Sequence, residues 1–214
     1  MARIVSFTFN PFYENTYIIY DETGESVIVD PGNYSKNEDE ELSGFITENK
    51  LKPVYLINTH CHIDHVLGNR FVADRYKVPL VMHKNEITLL NEVVNYAPSM
   101  GINYKRSPEP EIFLDEGDEF KFGETTFKIL FTPGHSPASI CFYNEKDKFI
   151  VSGDVLFFDS IGRTDLTGGN YNTLIASIKN KLMMLPDEVK VYPGHMQATT
   201  IGRERKMNPF LNDM

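Results

Sequence analysis

The first thirty residues alternate apolar and polar positions in three short runs, a pattern typical of half-buried β-strands. The runs cover residues 3–9, 16–20 and 26–30. Turn-forming residues separate them, Asn10-Pro11 after the first run and Thr23-Gly24 after the second. The sequence therefore predicts an antiparallel meander at the start of the chain.

Beyond residue 30 the apolar residues recur in a pattern of helices alternating with strands. Ser35 followed three positions later by Glu38 predicts a capping box, and the apolar residues of the next two turns give that helix a buried face. Apolar runs at residues 54–57 and 80–82 predict short buried strands. Helices are predicted over residues 64–76 and around residues 87–94, so the order is strand, helix, strand, helix.

Residues 96–117 show no period and contain several prolines and two glycines, so no regular structure is predicted for them. Long loops in compact domains often have a function. The candidates for a substrate-facing lip are Tyr96, Met100, Tyr104, Lys105 and Arg106. A surface insertion without function explains this loop equally well.

The second half of the chain repeats the plan of the first half. Strands are predicted at residues 119–122, 125–131, 139–143 and 149–151, followed by a helix over 170–184 and a last strand at 189–192. No linker or low-complexity segment divides the chain, so residues 1–214 are expected to form one domain of the α/β class.

Composition narrows the possible functions. The formal net charge of −9 argues against nucleic acid as a partner, and 41% hydrophobic with 24% charged residues is ordinary for a globular protein. No apolar run is long enough to span a membrane, and the N-terminus lacks the features of a signal peptide, so a cytoplasmic location is expected. The two cysteines indicate no disulfide framework. The expected partner is a small-molecule substrate, and the oligomeric state stays open.

The strongest chemical signal is the sequence Thr-His-Cys-His-Ile-Asp-His at residues 59–65. His60, His62 and His65 offer nitrogen ligands and Asp64 offers a carboxylate oxygen, a mixture that suits zinc, iron, manganese or cobalt better than calcium or magnesium. If the segment is extended, Cys61 points away from its two neighbouring histidines. This segment therefore predicts a transition-metal site without a cysteine ligand.

Three further predicted strands also end in side chains of ligand type. The strand at 125–131 precedes Pro133-Gly134-His135, the strand at 149–151 precedes Asp154, and the strand at 189–192 precedes Pro193-Gly194-His195. Sheets covered by helices tend to place sites just outside strand ends, so these side chains and the histidine cluster are expected to meet. His83 lacks the glycine turn and is interpreted as structural.

The candidate donors number more than one four-coordinate ion requires. They are His60, His62, Asp64, His65, His135, Asp154 and His195. Two divalent ions roughly 3.5 to 4 Å apart, sharing Asp154 and a hydroxide, would use them all and would support hydrolysis. Zinc is the first expectation, with iron or manganese as alternatives. A single ion with spare donors around it is the competing interpretation.

These motifs together resemble the signature of the metallo-β-lactamase fold, a four-layer αββα sandwich of two similar halves. The resemblance covers essentially the whole chain and includes Asp30, which in that fold usually supports a ligand and does not bind metal. Residues 152–157, 161–165 and 208–211 further resemble the glyoxalase II, or hydroxyacylglutathione hydrolase, branch, in its short single-domain form.

The resemblance implies a division of the donors between two metals. One metal would bind His60, His62 and His135, and the other would bind Asp64, His65 and His195. Asp154 would bridge the two. The implied reaction is hydrolysis of a thioester such as a hydroxyacylglutathione by a metal-bridging hydroxide, with Asp64 essential to catalysis through the second metal.

The alternative within the same fold is a persulfide dioxygenase acting on glutathione persulfide. Resemblance to that group implies one iron held by His60, His135 and Asp154, but its last motif typically reads Pro-Ala-His where this chain has Pro-Gly-His195. A β-lactamase is less favoured because Asp154 replaces the zinc-binding cysteine of its common subclasses. The non-enzymatic hypothesis is a module that senses metal and catalyses no reaction.

Substrate contacts are less well defined by the sequence. Arg163 is a candidate for binding a substrate carboxylate, although an ion pair with Asp165 is equally consistent. Tyr143 and Tyr171 are candidates for the wall of the site, or else for the core. The basic residues near the C-terminus, Arg203, Arg205 and Lys206, are interpreted as a solvated helix face with a substrate-facing patch as the alternative.

Overall fold

The computed structural model describes residues 1–211, and its centre consists of two six-stranded sheets. The first sheet has its strands in chain order: β1 (Arg3–Phe9), β2 (Glu14–Tyr20), β3 (Glu25–Val29), β4 (Lys52–Ile57), β5 (Leu80–Met82) and β6 (Pro110–Phe113). Strands β1 to β3 form the predicted antiparallel meander. From β3 to β6 the pairing is parallel, because helices make the crossings.

The second sheet is built from the later strands in the order β14-β13-β10-β9-β8-β7. Its members are β7 (Glu119–Phe122), β8 (Thr125–Phe131), β9 (Ile140–Asn144), β10 (Phe149–Gly153), β13 (Lys190–Pro193) and β14 (Thr199–Thr200). Its one parallel pair is β10 with β13. A small hairpin of β11 (Leu156–Phe157) and β12 (Ser160–Ile161) follows β10.

Helices cover the outer faces of both sheets. They are α1 (Lys36–Glu48), α2 (Ile63–Val66), α3 (Asn69–Tyr76), α4 (Ile87–Tyr96), α5 (Tyr171–Asn180) and α6 (Ile201–Met207), with 3₁₀ helices at Lys84–Glu86, Ala97–Met100 and Leu182–Met184. The predicted capping box is present at the start of α1, where Ser35 and Glu38 bond to each other's backbone N–H groups. Within residues 1–211, every helix is too short or too polar to cross a bilayer.

Three hydrophobic clusters join these layers. Alternate residues of the first sheet point to opposite faces, so that Ile28 and Leu56 pack under the helices while Val29 and Ile57 pack against the second sheet. The outer face of the second sheet is buried beneath α5 and α6. The order of layers is therefore helix, sheet, sheet, helix, which confirms the predicted αββα architecture.

Three sequence-based expectations about elements were wrong. The helix predicted over residues 64–76 is divided into α2 and α3, because Gly68 lies against Asn33 and donates its N–H to the Pro31 carbonyl at 2.7 Å. Residues 96–117 contain regular structure, namely the 3₁₀ helix Ala97–Met100 and the edge strand β6. The helix predicted over 170–184 is α5, which ends at Asn180, followed by a short 3₁₀ helix.

Asp21, in the turn after β2, connects the ends of the two sheets. Its carboxylate accepts hydrogen bonds from the Glu124 N–H at 2.7 Å and the Thr125 hydroxyl at 2.8 Å, as well as from Thr23 in its own turn. Burial raises the pKa of Asp21, but these hydrogen bonds outweigh it and lower the pKa below the ordinary 3.8. The ionised carboxylate is therefore the form that stabilises the contact.

We predict that Asp21→Ala lowers the free energy of unfolding by about 1–3 kcal/mol at neutral pH, since several donors lose their acceptor. Because the pKa of Asp21 is depressed in the folded state, this contribution is complete above about pH 4 and declines as the pH falls through the lowered pKa. Urea unfolding at neutral pH and near pH 3 measures both effects. Asp74→Ala, which removes an exposed carboxylate 3.5 Å from Arg70, is the control and should change stability by less than about 0.5 kcal/mol. Equal effects of the two substitutions would contradict this role of Asp21.

Candidate metal centre and adjoining cavity

Four loops that follow strands meet at one edge of the sandwich. The loop after β4 carries the histidine cluster, and the loops after β8, β10 and β13 carry His135, Asp154 and His195. Parallel pairing of β10 with β13 brings their loops to the same edge. The seven predicted donors are thus close in space, and five of them are buried: His60, His62, His65, His135 and Asp154.

One group of donors consists of His60, His62 and His135. His135 Nε2 lies 2.8 Å from His62 Nδ1 and 3.2 Å from His60 Nε2. The ligand atoms of the three residues all lie within 4.8 Å of one another. This spacing would allow a single ion to contact all three nitrogens.

A second group consists of Asp64, His65 and His195. Asp64 Oδ2 lies 3.1 Å from His195 Nε2 and 3.6 Å from His65 Nε2. These atoms form a mixed nitrogen and oxygen set of the kind that binds divalent transition metals.

Asp154 lies between the two groups. Its Oδ2 is 3.5 Å from His135 Nε2 in the first group and 3.5 Å from His195 Nε2 in the second. Its Oδ1 is 3.4 Å from His65 Nε2. The carboxylate is therefore within 3.5 Å of histidines from both groups.

The hydrogen bonds of the cluster are incomplete, which is consistent with metal ligation. His65 Nε2 and Asp154 Oδ1 are both buried and neither has a hydrogen-bond partner. Leaving such a group unpaired typically costs about 1–3 kcal/mol. A cation at this position would contact both atoms, so the residues present fit a divalent metal.

Neighbouring groups fix which nitrogen His65 and His135 turn toward the cluster. Asp30 accepts hydrogen bonds from the Thr59 N–H at 2.7 Å and the Thr59 hydroxyl at 2.6 Å, and its Oδ2 lies 3.2 Å from His65 Nδ1. His135 Nδ1 donates to the Arg163 carbonyl at 2.8 Å. In both histidines the Nε2 atom is thereby left facing the other donors. Asp30 has the supporting position that the family resemblance implies.

Glu86 is a supporting residue that sequence analysis missed. Its buried carboxylate accepts the Cys61 N–H at 2.9 Å in the histidine cluster, and the Ser136 hydroxyl and Ala138 N–H, each at 2.7 Å, beside His135. Its hydrogen bonds therefore connect the two loops that carry the first group of donors. A glutamate near the start of a helix is ordinary in sequence, so no local pattern marks it out.

The two Pro-Gly-His turns depend on their glycines. Gly134 has φ of 129° and packs against the backbone of Leu174 in α5, so a side chain would be strained and would also clash there. A Cβ atom at Gly194 would overlap Asp154 Oδ1 and lie 2.6 Å from His65 Cε1. Close approach of the backbone to the donors is therefore a requirement of this site.

Burial and mutual charge give the two groups of donors different protonation. Burial, together with the neighbouring histidines, lowers the pKa of His60 well below its usual value and lowers that of His62 to about 3. Burial opposes protonation of His65 as well, but Asp64 and Asp154 raise its pKa well above the usual value. His65 in turn lowers the pKa of Asp154 against the effect of burial. The first group thus presents neutral imidazoles, which is the form that binds metal.

A cavity of about 690 Å³ adjoins the donors. Five of the donors lie in its lining, namely His62, Asp64, His135, Asp154 and His195. The remaining lining residues are mainly apolar: Phe12, Ile63, Leu89, Tyr96, Met100, Phe157, Ile161, Arg163, Leu166 and Thr167. Of the predicted lip, Tyr96 and Met100 line the cavity, whereas Tyr104, Lys105 and Arg106 do not.

The two tyrosines expected to contact substrate lie elsewhere. Tyr143 is buried in the hydrophobic cluster beneath α5 and α6, and Tyr171 is half-exposed at the start of α5. Neither borders the cavity, so the interpretation of Tyr143 and Tyr171 as wall residues is corrected. Successive residues of a strand face opposite sides of the sheet. In β9, Tyr143 lies on the side that packs against the helices.

Three other side chains make contacts away from the donors or the cavity, as their interpretation from sequence expected. Cys61 is buried 4.0 Å from the Met82 sulfur, away from the donors. His83 accepts the Asn85 N–H at 3.1 Å and stacks on Phe131. Arg203 forms ion pairs with Asp159 and Glu204 instead of facing the cavity.

Comparison with curated proteins identifies several similar chains. The chain is 36% identical over 203 residues to the probable metallo-hydrolase YqgX of Bacillus subtilis, covering 94% of each chain. It is likewise 36% identical over 203 residues to the hydroxyacylglutathione hydrolase GloC of Haemophilus influenzae, again covering 94% of each.

Solved structures show the same architecture. The crystal structure of BLEG-1 B3 metallo-beta-lactamase matches with a TM-score of 0.90 and 35% identity, covering 98% of this chain and 99% of that one. TTHA1623 in a di-iron-bound form matches with a TM-score of 0.87 and 35% identity, covering 97% and 100%. ETHE1 from Myxococcus xanthus matches with a TM-score of 0.79 and 28% identity, covering 97% and 83%.

Residues 9–195 match the family model of the metallo-beta-lactamase superfamily. That match includes the strands from β2 to β13 and every donor of the cluster. Together with the relatives and the shared architecture, it shows that this chain belongs to the metallo-beta-lactamase superfamily.

Proposed function

We propose that this protein is a two-metal hydrolase that cleaves thioesters. The observation that carries the proposal is Asp154, which lies within 3.5 Å of histidines from both groups of donors at the base of a cavity. One ion would be held by His60, His62 and His135, and the other by Asp64, His65 and His195, with Asp154 shared. The di-iron form of TTHA1623 supports two ions in this architecture.

The choice of thioester rests on the relatives. GloC is named as a hydroxyacylglutathione hydrolase, and it is similar to this chain along nearly the whole of both sequences. The motifs at residues 152–157 and 161–165 support the same branch. Divalent ions in such a pair lower the pKa of water and polarise a carbonyl group, which is the chemistry that hydrolysis of an acyl compound needs.

The chain's own residues have two tasks in this reaction. The cavity holds the acyl compound beside the donors, and Asp30 and Glu86 hold the loops in register. Overall, water adds to the acyl carbon and the carbon–sulfur bond breaks. The sulfur leaves with a proton as a free thiol, and the acyl group leaves as a carboxylic acid.

We predict two metal ions per chain and release of thiol from glutathione thioesters. Elemental analysis of protein purified without chelators measures the first, and a chromogenic thiol assay measures the second. Removal of metal with a chelator should abolish thiol release, and zinc, iron or manganese should restore it. A metal-loaded protein that releases no thiol from any thioester would contradict the proposal.

The second candidate is a persulfide dioxygenase with one iron. It is favoured by the close approach of His60 Nε2, His135 Nε2 and Asp154 Oδ2, with separations of 3.2 and 3.5 Å. An oxygen electrode with glutathione persulfide distinguishes it, since one iron per chain with oxygen uptake and no thioester cleavage would establish this alternative. A β-lactam such as nitrocefin belongs in the same screen because of the similarity to BLEG-1.

The role of Asp64 gives a sharper test of the two-metal arrangement. Asp64→Asn removes the negative charge from the second group while preserving the shape of the side chain. We expect one metal per chain to be lost and kcat for thioester hydrolysis to fall at least about a hundredfold. Activity within about twofold of the parent protein would show that the second group is not needed.

Gly194 tests the requirement for close packing of the backbone. Gly194→Ala should displace Asp154 and His65, and metal affinity should fall by about tenfold to a hundredfold. A competitive zinc titration with a chromophoric chelator measures the affinity. Gly44→Ala in α1 is the matched control, because nothing lies within 4 Å of its added Cβ, and it should leave zinc affinity unchanged. Equal affinities of the two variants would contradict this role of Gly194.

A further inference from the structure

The cavity beside the donors has walls that differ in character from its base. Part of the lining comes from α4 and the following 3₁₀ helix, with Leu89, Tyr96 and Met100. Another part comes from the β11–β12 hairpin and the segment after it, with Phe157, Ile161 and Leu166. Most polar side chains of the lining are the metal donors at the base, and the walls add Tyr96, Arg163 and Thr167. A substrate in this cavity therefore meets mainly hydrocarbon away from its reacting end.

Charge is nearly absent from these walls. Apart from the donors, Arg163 is the only side chain of the described lining that is charged at neutral pH, because burial raises the pKa of Tyr96 to about 12. Its guanidinium already forms a two-pronged ion pair with Asp165, with both N–O distances 2.7 Å. Because that pair is neutral overall and its arginine side chain is 62% exposed, it provides little attraction for a carboxylate inside the cavity.

The size and lining of the cavity point to the acyl group of the substrate. A volume of about 690 Å³ is within the range of sites that enclose most of a small organic ligand. Charged groups would lose their hydration against these walls without gaining a partner, whereas methylene groups gain from leaving water. Resting on the proposed thioester hydrolysis, we infer that this cavity selects thioesters whose acyl group is uncharged and apolar, over short or hydroxylated acyl groups.

A series of thioesters with one thiol tests the inference. Glutathione thioesters of acetyl, butanoyl, hexanoyl and D-lactoyl groups differ only in the part that the cavity is inferred to bind. We expect kcat/KM to rise about twofold to fourfold for each added methylene, and hexanoyl to exceed lactoyl by at least tenfold. Constant kcat/KM along the series, or a preference for lactoyl, would overturn the inference while leaving thioester hydrolysis established. Absence of turnover on the whole series would reject the proposed hydrolysis as well.

Changing the thiol shows which side of the thioester occupies the cavity. The same acyl series on N-acetylcysteamine, a small uncharged thiol, should give the same increase per methylene. If the increase disappears with this thiol, the acyl group is not what the cavity binds, and the inference is wrong.

A substitution in the lining tests whether this cavity causes the preference for apolar acyl groups. Met100 is 49% exposed and lies in the lining, so Met100→Glu adds a charge at little risk to folding. The ratio of kcat/KM for hexanoyl to that for acetyl should fall by at least fivefold. Met184→Glu is the matched control at a residue 75% exposed and outside the cavity, and the ratio should not change. An unchanged ratio in Met100→Glu, with metal content and circular dichroism equal to the parent's, would refute the assignment to this cavity.

Discussion

The position of the Asp154 carboxylate is the constraint on which the rest of the site depends. It is buried, its Oδ1 has no hydrogen-bond partner, and imidazole nitrogens from both groups of donors lie 3.4 to 3.5 Å away. A buried charge is costly unless it is paired, so this carboxylate has to be held among its partners by the surrounding structure. Gly194 makes that possible, because only a residue without a side chain lets the last loop approach so closely.

The two halves of the sandwich each provide part of this site, and polar contacts fix them together beside it. Glu86 connects the histidine loop of the first half to the His135 loop of the second. Tyr17 of β2 donates its hydroxyl hydrogen to the Pro193 carbonyl at 2.6 Å, just before Gly194 and His195. Neither half has a complete set of donors for two ions. Correct packing of the sheets is therefore a condition for metal binding, and metal binding should in turn stabilise that packing.

Sequence alone predicted the features whose cause is local. The capping box of α1, the strand at residues 80–82 and the strand ends bearing donors were identified because residues a few positions apart determine them. Glu86 was missed because its partners lie 25 to 52 positions away, and nothing nearby in sequence reveals its burial. Tyr143 was misplaced because alternation along β9 does not show which face of the sheet borders the cavity. The β6 strand was missed because its pairing with β5 is a long-range contact.

The difference between local and long-range causes also separates the chemistry of the site from its substrate specificity. Histidine and aspartate in short motifs determine which metals bind and what class of reaction they support, and such motifs are readable in sequence. The walls of the cavity come from segments as distant as Phe12 and Leu166, with no shared motif. In the proposed reaction these walls would set how much an acyl group gains from leaving water. A relative can therefore share every donor with this chain and prefer another substrate, because function depends on the particular site and not on the fold. In the proposed thioester hydrolysis, the apolar walls of this protein, more than the donors, would select the substrate.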